Sequence, residues 1–187
     1  LTLKTDLTPR QRDYIRKIKG SGQHLLSIVN DWVDDPDKGR VLIFTQHTAS
    51  LEDLLRVLDL SGVEAVPFHA GMSPHAKQQA IKRFRAGKGK GVPVMISTES
   101  GAVGLNLQFA NCVVNYDLPW NPMRIEQRIG RVHRVTQTRD VYVANLFARD
   151  TIDESVYRLL HDKLKMFELL FGQVTTILGE LDDADTS

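Results

Sequence analysis

Val41-Leu42-Ile43-Phe44 is an unbroken apolar run in a chain that is otherwise well supplied with charge. A strand with one wet face alternates apolar and polar residues; a run without alternation has to be covered on both faces. Four more short segments are read as strands: Val63 to Phe68, Val92 to Ile96, Cys112 to Tyr116 and Val141 to Phe147. Pro67, which cannot donate to a ladder, suggests an edge or a strand end for the second.

Helical patterns stand between these strands. Thr48 or Ser50 is the expected cap of a helix that carries Leu51, Leu54, Leu55 and Leu58 and stops at Gly62. Ser73-Pro74 opens another, with Ala76, Ala80, Ile81 and Phe84 inward and Gly87 as its stop. Asn121-Pro122 opens a third. Strand–helix alternation with buried-type strands predicts an α/β fold, a parallel sheet with helices on both faces. This unit covers residues 39–148. Residues 1–38 form a helical lead-in: Thr8-Pro9 starts one helix, Gly20-Ser21-Gly22 breaks it, and a second carries Leu25, Leu26, Val29, Trp32 and Val33. Residues 149–187 open on a capping box, Thr151-Ile152-Asp153-Glu154, which leads a long helix with Ile152, Val156, Leu159, Leu160, Leu164, Phe167, Leu170 and Phe171 as its stripe, and end in an acidic tail.

Bulk numbers exclude some classes. A 42% hydrophobic content over 187 residues suits one globular unit with extensions. The formal net charge of +1 says little, but its distribution is uneven. Lys77, Lys82, Arg83, Arg85, Lys88 and Lys90 have no acid among them, whereas Glu180, Asp182, Asp183 and Asp185 crowd the tail. A basic strip of this kind is a solvated face or a phosphate-facing one. The single cysteine, Cys112, rules out an internal disulfide and is read as core. No apolar stretch reaches the roughly 18 residues of a membrane span, and no signal-peptide pattern leads the chain, so a cytoplasmic protein without membrane contact is expected.

In a parallel sheet ligands sit beyond the carboxyl ends of the strands. Those segments are Thr45-Gln46-His47, His69 to Ser73, Ser97 to Gln108 and Asp117 to Pro122. Ser97 to Gln108 is the richest: its glycines permit positive φ and close backbone approach, and its amides and hydroxyls suit phosphate oxygens. No G-x-x-x-x-G-K-[ST] occurs; Gly87-Lys88-Gly89-Lys90-Gly91 has the wrong spacing and follows a helix. The six histidines show no metal-ligand spacing, so His69 and His133 are read as hydrogen-bonded structural residues and no metal site is expected. Trp120 either stacks on a base or packs.

Gln127-Arg128-Ile129-Gly130-Arg131-Val132-His133-Arg134 is read as helix. Ile125, Ile129 and Val132 then share one side, and Gln127, Arg131 and Arg134 share the other. Guanidiniums are planar, always charged and bidentate, which suits phosphate oxygens; the alternative is a solvated basic face.

In order along the chain, these segments resemble the second RecA-like lobe of a superfamily-two helicase, closest to the Swi/Snf branch of double-stranded DNA translocases in its bacterial and archaeal form. Val41 to Gln46 is similar to motif IV, Phe68 to Ser73 to the following loop, Ser97 to Gln108 to motif V, Tyr116 to Pro122 to the D-x-x-W-N-P segment, and Gln127 to Gln137 to motif VI. The match runs from Arg40 to about Phe171.

The resemblance implies roles by position. Arg131 and Arg134 are similar to the arginine fingers that reach the γ-phosphate of ATP held by the first lobe. Gln127, Gly104 and Asn106 match positions beside the nucleotide. Thr45, Gln46, Gly71, Ser73 and Thr98 match contacts to the nucleic-acid backbone, and Trp120 lies in a segment of the same surface. The implied partners are the first lobe and double-stranded DNA; ATP and Mg2+ would be bound mainly by that lobe. The chain has no P-loop and no acidic D-E-x-H-type motif, so it is expected to be part of a longer ATPase, a reading its start at Leu1 supports, and to hydrolyse no ATP alone. The alternatives are an RNA helicase lobe or a non-catalytic module that binds nucleic acid or a protein.

Overall fold

The computed structural model describes residues 22–35, 38–86, 91–99, 101, 105–133, 139–147 and 154–159. Helix α1 covers residues 22–33. It is followed by β1 (Val41–Thr45), α2 (Thr48–Leu60), β2 (Ala65–Phe68), α3 (Pro74–Arg85), β3 (Val94–Thr98), β4 (Cys112–Asn115), α4 (Pro122–Ile129) and β5 (Tyr142–Asn145). Residues 154–159 are helical. The expected stop at Gly87, the capping box apart from Glu154, and the long helix beyond Leu159 lie outside the described residues.

The five strands form one parallel sheet in the order β2-β3-β1-β4-β5. The sheet answers the unbroken run directly. Val41 and Ile43 face a core shared with Leu25 and Val29 of α1 and with Leu51, Leu54 and Leu58 of α2. Leu42 and Phe44 face the opposite core, with Ala80 and Phe84 of α3 and Val66 and Phe68 of β2. All five β1 residues are buried. Successive side chains point to opposite faces, so both faces need cover and every β1 position is apolar except the last.

Strand bounds shift from those read in the sequence for local reasons. β2 begins at Ala65 rather than Val63, because Val63 completes the end of α2. Gly62 takes φ 75°, its N–H donates to Asp59 O at 3.0 Å, and Val63 N–H donates to Leu58 O at 2.9 Å. That is a Schellman stop, which needs a residue tolerant of left-handed backbone. β3 runs Val94–Thr98, two residues later than expected, since Thr98 still pairs with Thr45 in the ladder. β2 is an edge strand, as Pro67 suggested.

Two helix starts follow the sequence and one does not. Ser73 caps α3, its side chain accepting from Ala76 N–H, and Asn121 caps α4, accepting from Met123 N–H. α2 is capped by His47 with no side-chain bond, so neither Thr48 nor Ser50 holds that place. A third cluster joins Leu118 and Ile125 to Val156 and Tyr157 of residues 154–159. Phe147 stacks on Tyr157 with centroids 4.5 Å apart, and burial raises the Tyr157 hydroxyl pKa.

Candidate functional site

β1 is the centre of the sheet. The chain leaves it for β2 and β3 on one side and passes to β4 and β5 on the other. In an open parallel sheet the ligand crevice falls at such a switch point, here beyond the carboxyl ends of β1 and β4.

Asp117, two residues past β4, reaches across that crevice. Its carboxylate accepts the Thr45 hydroxyl at 2.6 Å and the Gln46 backbone N–H at 2.8 and 2.9 Å. The Gln46 side-chain amide donates to Leu118 O at 3.3 Å. The end of β1 is thus stitched to the loop that leads into α4.

Below Asp117 lies Arg128, the one charged residue buried among those described, at 3% exposure. Its guanidinium donates to Asn115 Oδ1 at 3.0 Å, Asp117 O at 2.8 Å and Glu99 Oε1 at 2.8 Å, and lies 3.5 Å from Asp117 Oδ1. Its carbon centre sits 5.4 Å from the centroid of Phe44. A buried guanidinium survives only with its charge paired and most of its donors used, and two carboxylates serve that end here. Its Nε is the one buried side-chain polar atom without a partner among the described residues. Arg124, one turn earlier and half exposed, pairs with the other Glu99 oxygen at 2.5 Å.

The arginine helix is shorter than the sequence pattern predicts. It ends at Ile129, with Gly130 as its cap residue, and Arg131 and Val132 follow in a tight turn. Arg131 N–H donates to Arg128 O at 3.1 Å and Val132 N–H to Ile129 O at 2.9 Å, the i to i+3 pattern that closes a helix end. Packing explains the break. Ile125 belongs to the cluster with Leu118, while Val132 is buried in the cluster with Phe44 and Leu107. A continuous helix would keep both on one stripe and could not fill two separate cores. Gln127 is exposed and Arg131 follows the helix end, while Arg134 lies outside the described residues. Arg131 is half-buried, and no hydrogen bond or ion pair to its guanidinium is found among the described residues. Its carbonyl accepts Leu107 N–H at 2.9 Å, which holds the turn against the loop after β3.

The other expected residues divide by exposure. Gln127 and Asn106 are exposed; Asn106 accepts from Gln108 N–H at 3.3 Å, an Asx-type turn. Gly104 lies outside the described residues. Gln46, Gly71, Ser73 and Trp120 are exposed on the carboxyl side of the sheet, Trp120 at 60%. Thr45 and Thr98 are buried, at 0% and 5%. The Thr45 hydroxyl, expected at a phosphate, donates to Asp117 Oδ2 in this structure. Gly101 supplies the close approach expected of this loop's glycines: a Cβ there would lie 2.7 Å from Phe68 O and 2.8 Å from His69 Cα.

His69 accepts Met72 N–H through its carbonyl at 3.2 Å and His133 is exposed. Among the described residues no group of three or more His, Cys, Asp or Glu could hold a metal. Glu99 and Asp117 are both engaged by Arg128, so this donor set does not fit Mg2+. Cys112 is core, its thiol pushed up to about 12 by burial. Among the described residues no helix is long and apolar enough to cross a membrane.

Sequence reasoning gave Glu99, Asp117 and Arg128 no role of their own. One signal was present: Arg128 lies three residues after Ile125, on the buried side of the helix, where an unpaired charge is not tolerated. The partners could not be named, because Glu99 is 29 residues away in the chain.

Comparison with known proteins places these motifs. The family model "helicase conserved C-terminal domain" matches residues 23–136. The chain is 42% identical over 142 residues to the uncharacterized ATP-dependent helicase YqhH of Bacillus subtilis, covering 76% of this chain and 25% of that protein. It is 37% identical over 130 residues to the RNA polymerase-associated protein RapA of Proteus mirabilis, covering 69% of this chain and 13% of that one. Against the ATP-dependent helicase fft3 of Schizosaccharomyces pombe the identity is 31% over 169 residues, covering 90% and 17%. The chain thus spans a quarter or less of these relatives. A crystal structure of the C-terminal part of the Fun30 ATPase domain superposes with a TM-score of 0.68 at 29% identity, over 75% of this chain and 45% of that one. The DEAD-box protein SrmB of E. coli superposes with a TM-score of 0.68 over 89% and 86%, and its 20% identity speaks for the RecA-like fold alone. With motifs, topology and matches in agreement, the chain belongs to the helicase conserved C-terminal domain family.

Proposed function

We propose that this chain is the second lobe of an ATP-driven translocase of the Swi/Snf type that moves along double-stranded DNA. The observation that carries the reading is the Arg131 turn. The backbone of Arg131 is tied to the loop after β3 through Leu107 N–H, and its guanidinium has no partner among the described residues, which leaves it available to phosphate charge held by another lobe.

ATP supplies the phosphoryl group whose charge shifts toward the leaving oxygen as the bond breaks. Arg131, with Arg134, faces that charge from this lobe, and Gln127 and Asn106 line the nucleotide side. Gln46, Gly71, Ser73 and Trp120 form the nucleic-acid side, with Thr45 and Thr98 behind them. Such contacts address the backbone rather than bases and suit movement along any sequence. The β- and γ-phosphates and Mg2+ belong to the first lobe, so this chain alone turns over no ATP. Because the arginines favour the triphosphate over the diphosphate, lobe closure follows the nucleotide.

The test is ATP hydrolysis by the full-length protein containing this chain, with and without duplex DNA, in wild type and Arg131→Ala. DNA-stimulated hydrolysis that the variant loses supports the reading. Hydrolysis untouched by Arg131→Ala refutes the arginine assignment, and stimulation by RNA alone shifts the substrate to RNA.

A further inference from the structure

The buried ion cluster under the crevice has no part in the reading above, and its position gives it one. Arg128 bonds at once to the end of β4, the loop after β4 and the loop after β3, through Asn115, Asp117 and Glu99. Asp117 passes the connection on to Thr45 and to the Gln46 backbone. Those groups are the inner edge of the proposed nucleic-acid side. In the other direction Arg128 O accepts Arg131 N–H at 3.1 Å, which is the first bond of the turn that presents Arg131. One buried residue therefore stands between the two sides of the crevice.

We infer that Arg128, held by Glu99 and Asp117, is a positioning residue that couples nucleic-acid contact at the ends of β1 and β3 to the placement of Arg131; this rests on the function proposed above. The physical case is one of rigidity. A side chain 2% exposed, with two carboxylates and an amide oxygen on one guanidinium, has no room for small adjustments. If nucleic acid shifts the Gln46 or Thr98 backbone, Asp117 and Glu99 must move with it, and Arg128 transmits that shift to the start of the turn. Coupling between two sites needs a connected element whose arrangement both sites bias. A plain surface ion pair could not do this, since its partners would separate into water.

Glu99→Gln is the first variant to measure. It keeps acceptor oxygen at the same place and removes the charge, and Glu99 is part-exposed, at 22%, so the fold can accommodate it. Arg128→Lys is the second; it keeps the charge but not the fork. The readout is the ratio of DNA-stimulated to unstimulated ATP hydrolysis by the full-length protein, together with its melting temperature. The ratio should fall about tenfold in Glu99→Gln, the range of ordinary coupling between sites. It should fall at least as far in Arg128→Lys where that variant folds, and Glu99→Gln carries the test where it does not. A ratio that stays at the wild-type value, with both rates unchanged or reduced together, marks a purely structural role and overturns the coupling. A wild-type enzyme that hydrolyses ATP without responding to DNA removes the function reading and this inference with it. An unchanged ratio in the variants removes only the inference.

Discussion

Thr45 donates its hydroxyl to Asp117 Oδ2 at 2.6 Å, although 72 residues separate them. That bond joins the carboxyl ends of β1 and β4 across the switch point of the sheet. Thr45 is buried and Asp117 part-buried, so losing the donor leaves Asp117 Oδ2 with the Gln46 N–H alone among the described residues. Thr45→Val, which keeps the shape, should destabilise the chain by about 1–3 kcal/mol. Urea unfolding of wild type and variant measures this, and a midpoint that does not move would show the bond to be unimportant for stability.

Arg128 and Arg131 should separate cleanly by what each change disturbs. Arg128→Ala leaves two carboxylates beside an empty buried site and is expected to cost about 3–5 kcal/mol. Arg131→Ala removes a guanidinium without a partner among the described residues and should change stability by no more than about 0.5 kcal/mol. In the full-length protein Arg131→Ala should lower ATP hydrolysis by a factor of about 10³ or more. Thermal melts and steady-state rates on the two variants check the pair.

Gly101→Ala tests the close approach of the loop after β3 to the end of β2. The new methyl would meet Phe68 O and His69 Cα at distances that real Cβ atoms do not adopt. Both obstacles are backbone and cannot swing away. A loss of about 1–3 kcal/mol is expected, as for other overpacked sites. Gly22→Ala, which meets nothing within 4 Å, is the control and should be close to neutral.

Cys112 makes a pH prediction. Its thiol is pushed up to about 12 by burial, against a reference value of 9.0. The folded chain holds that proton more tightly than the unfolded chain. The contribution is therefore fully present below about pH 9 and is lost as pH rises from there toward 12. The slope is at most about 1.4 kcal/mol per pH unit. Urea midpoints at pH 8 and pH 10 should fall further for wild type than for Cys112→Ala. Iodoacetamide should label Cys112 only after unfolding.

Trp120 offers a readout of the nucleic-acid side. It is 60% exposed, while Trp32 is half-buried with its ring 4.9 Å from Tyr142. Trp120→Ala should weaken DNA binding by about 1–3 kcal/mol and leave the melting temperature unchanged. Fluorescence anisotropy of labelled duplex, titrated with both proteins, measures the difference, and equal affinity would mean that Trp120 does not stack.

The sequence determined the layers of this protein. Val41 to Phe44 announced a strand buried on both faces, Pro67 an edge, Gly62 a helix stop, and Ser73 and Asn121 two caps, because each of these is decided by neighbours within a few residues. What only the tertiary structure decided is how the arginine segment is used. Periodicity gave a straight helix through Arg134; in the structure the helix ends at Ile129, with Ile125 and Val132 in separate cores. The same holds for Thr45, whose hydroxyl is claimed by Asp117, and for Arg128, whose charge is matched by Glu99 and Asp117. Pairing and burial depend on which residues distant in the chain meet at the end of a sheet, and no local pattern carries that information.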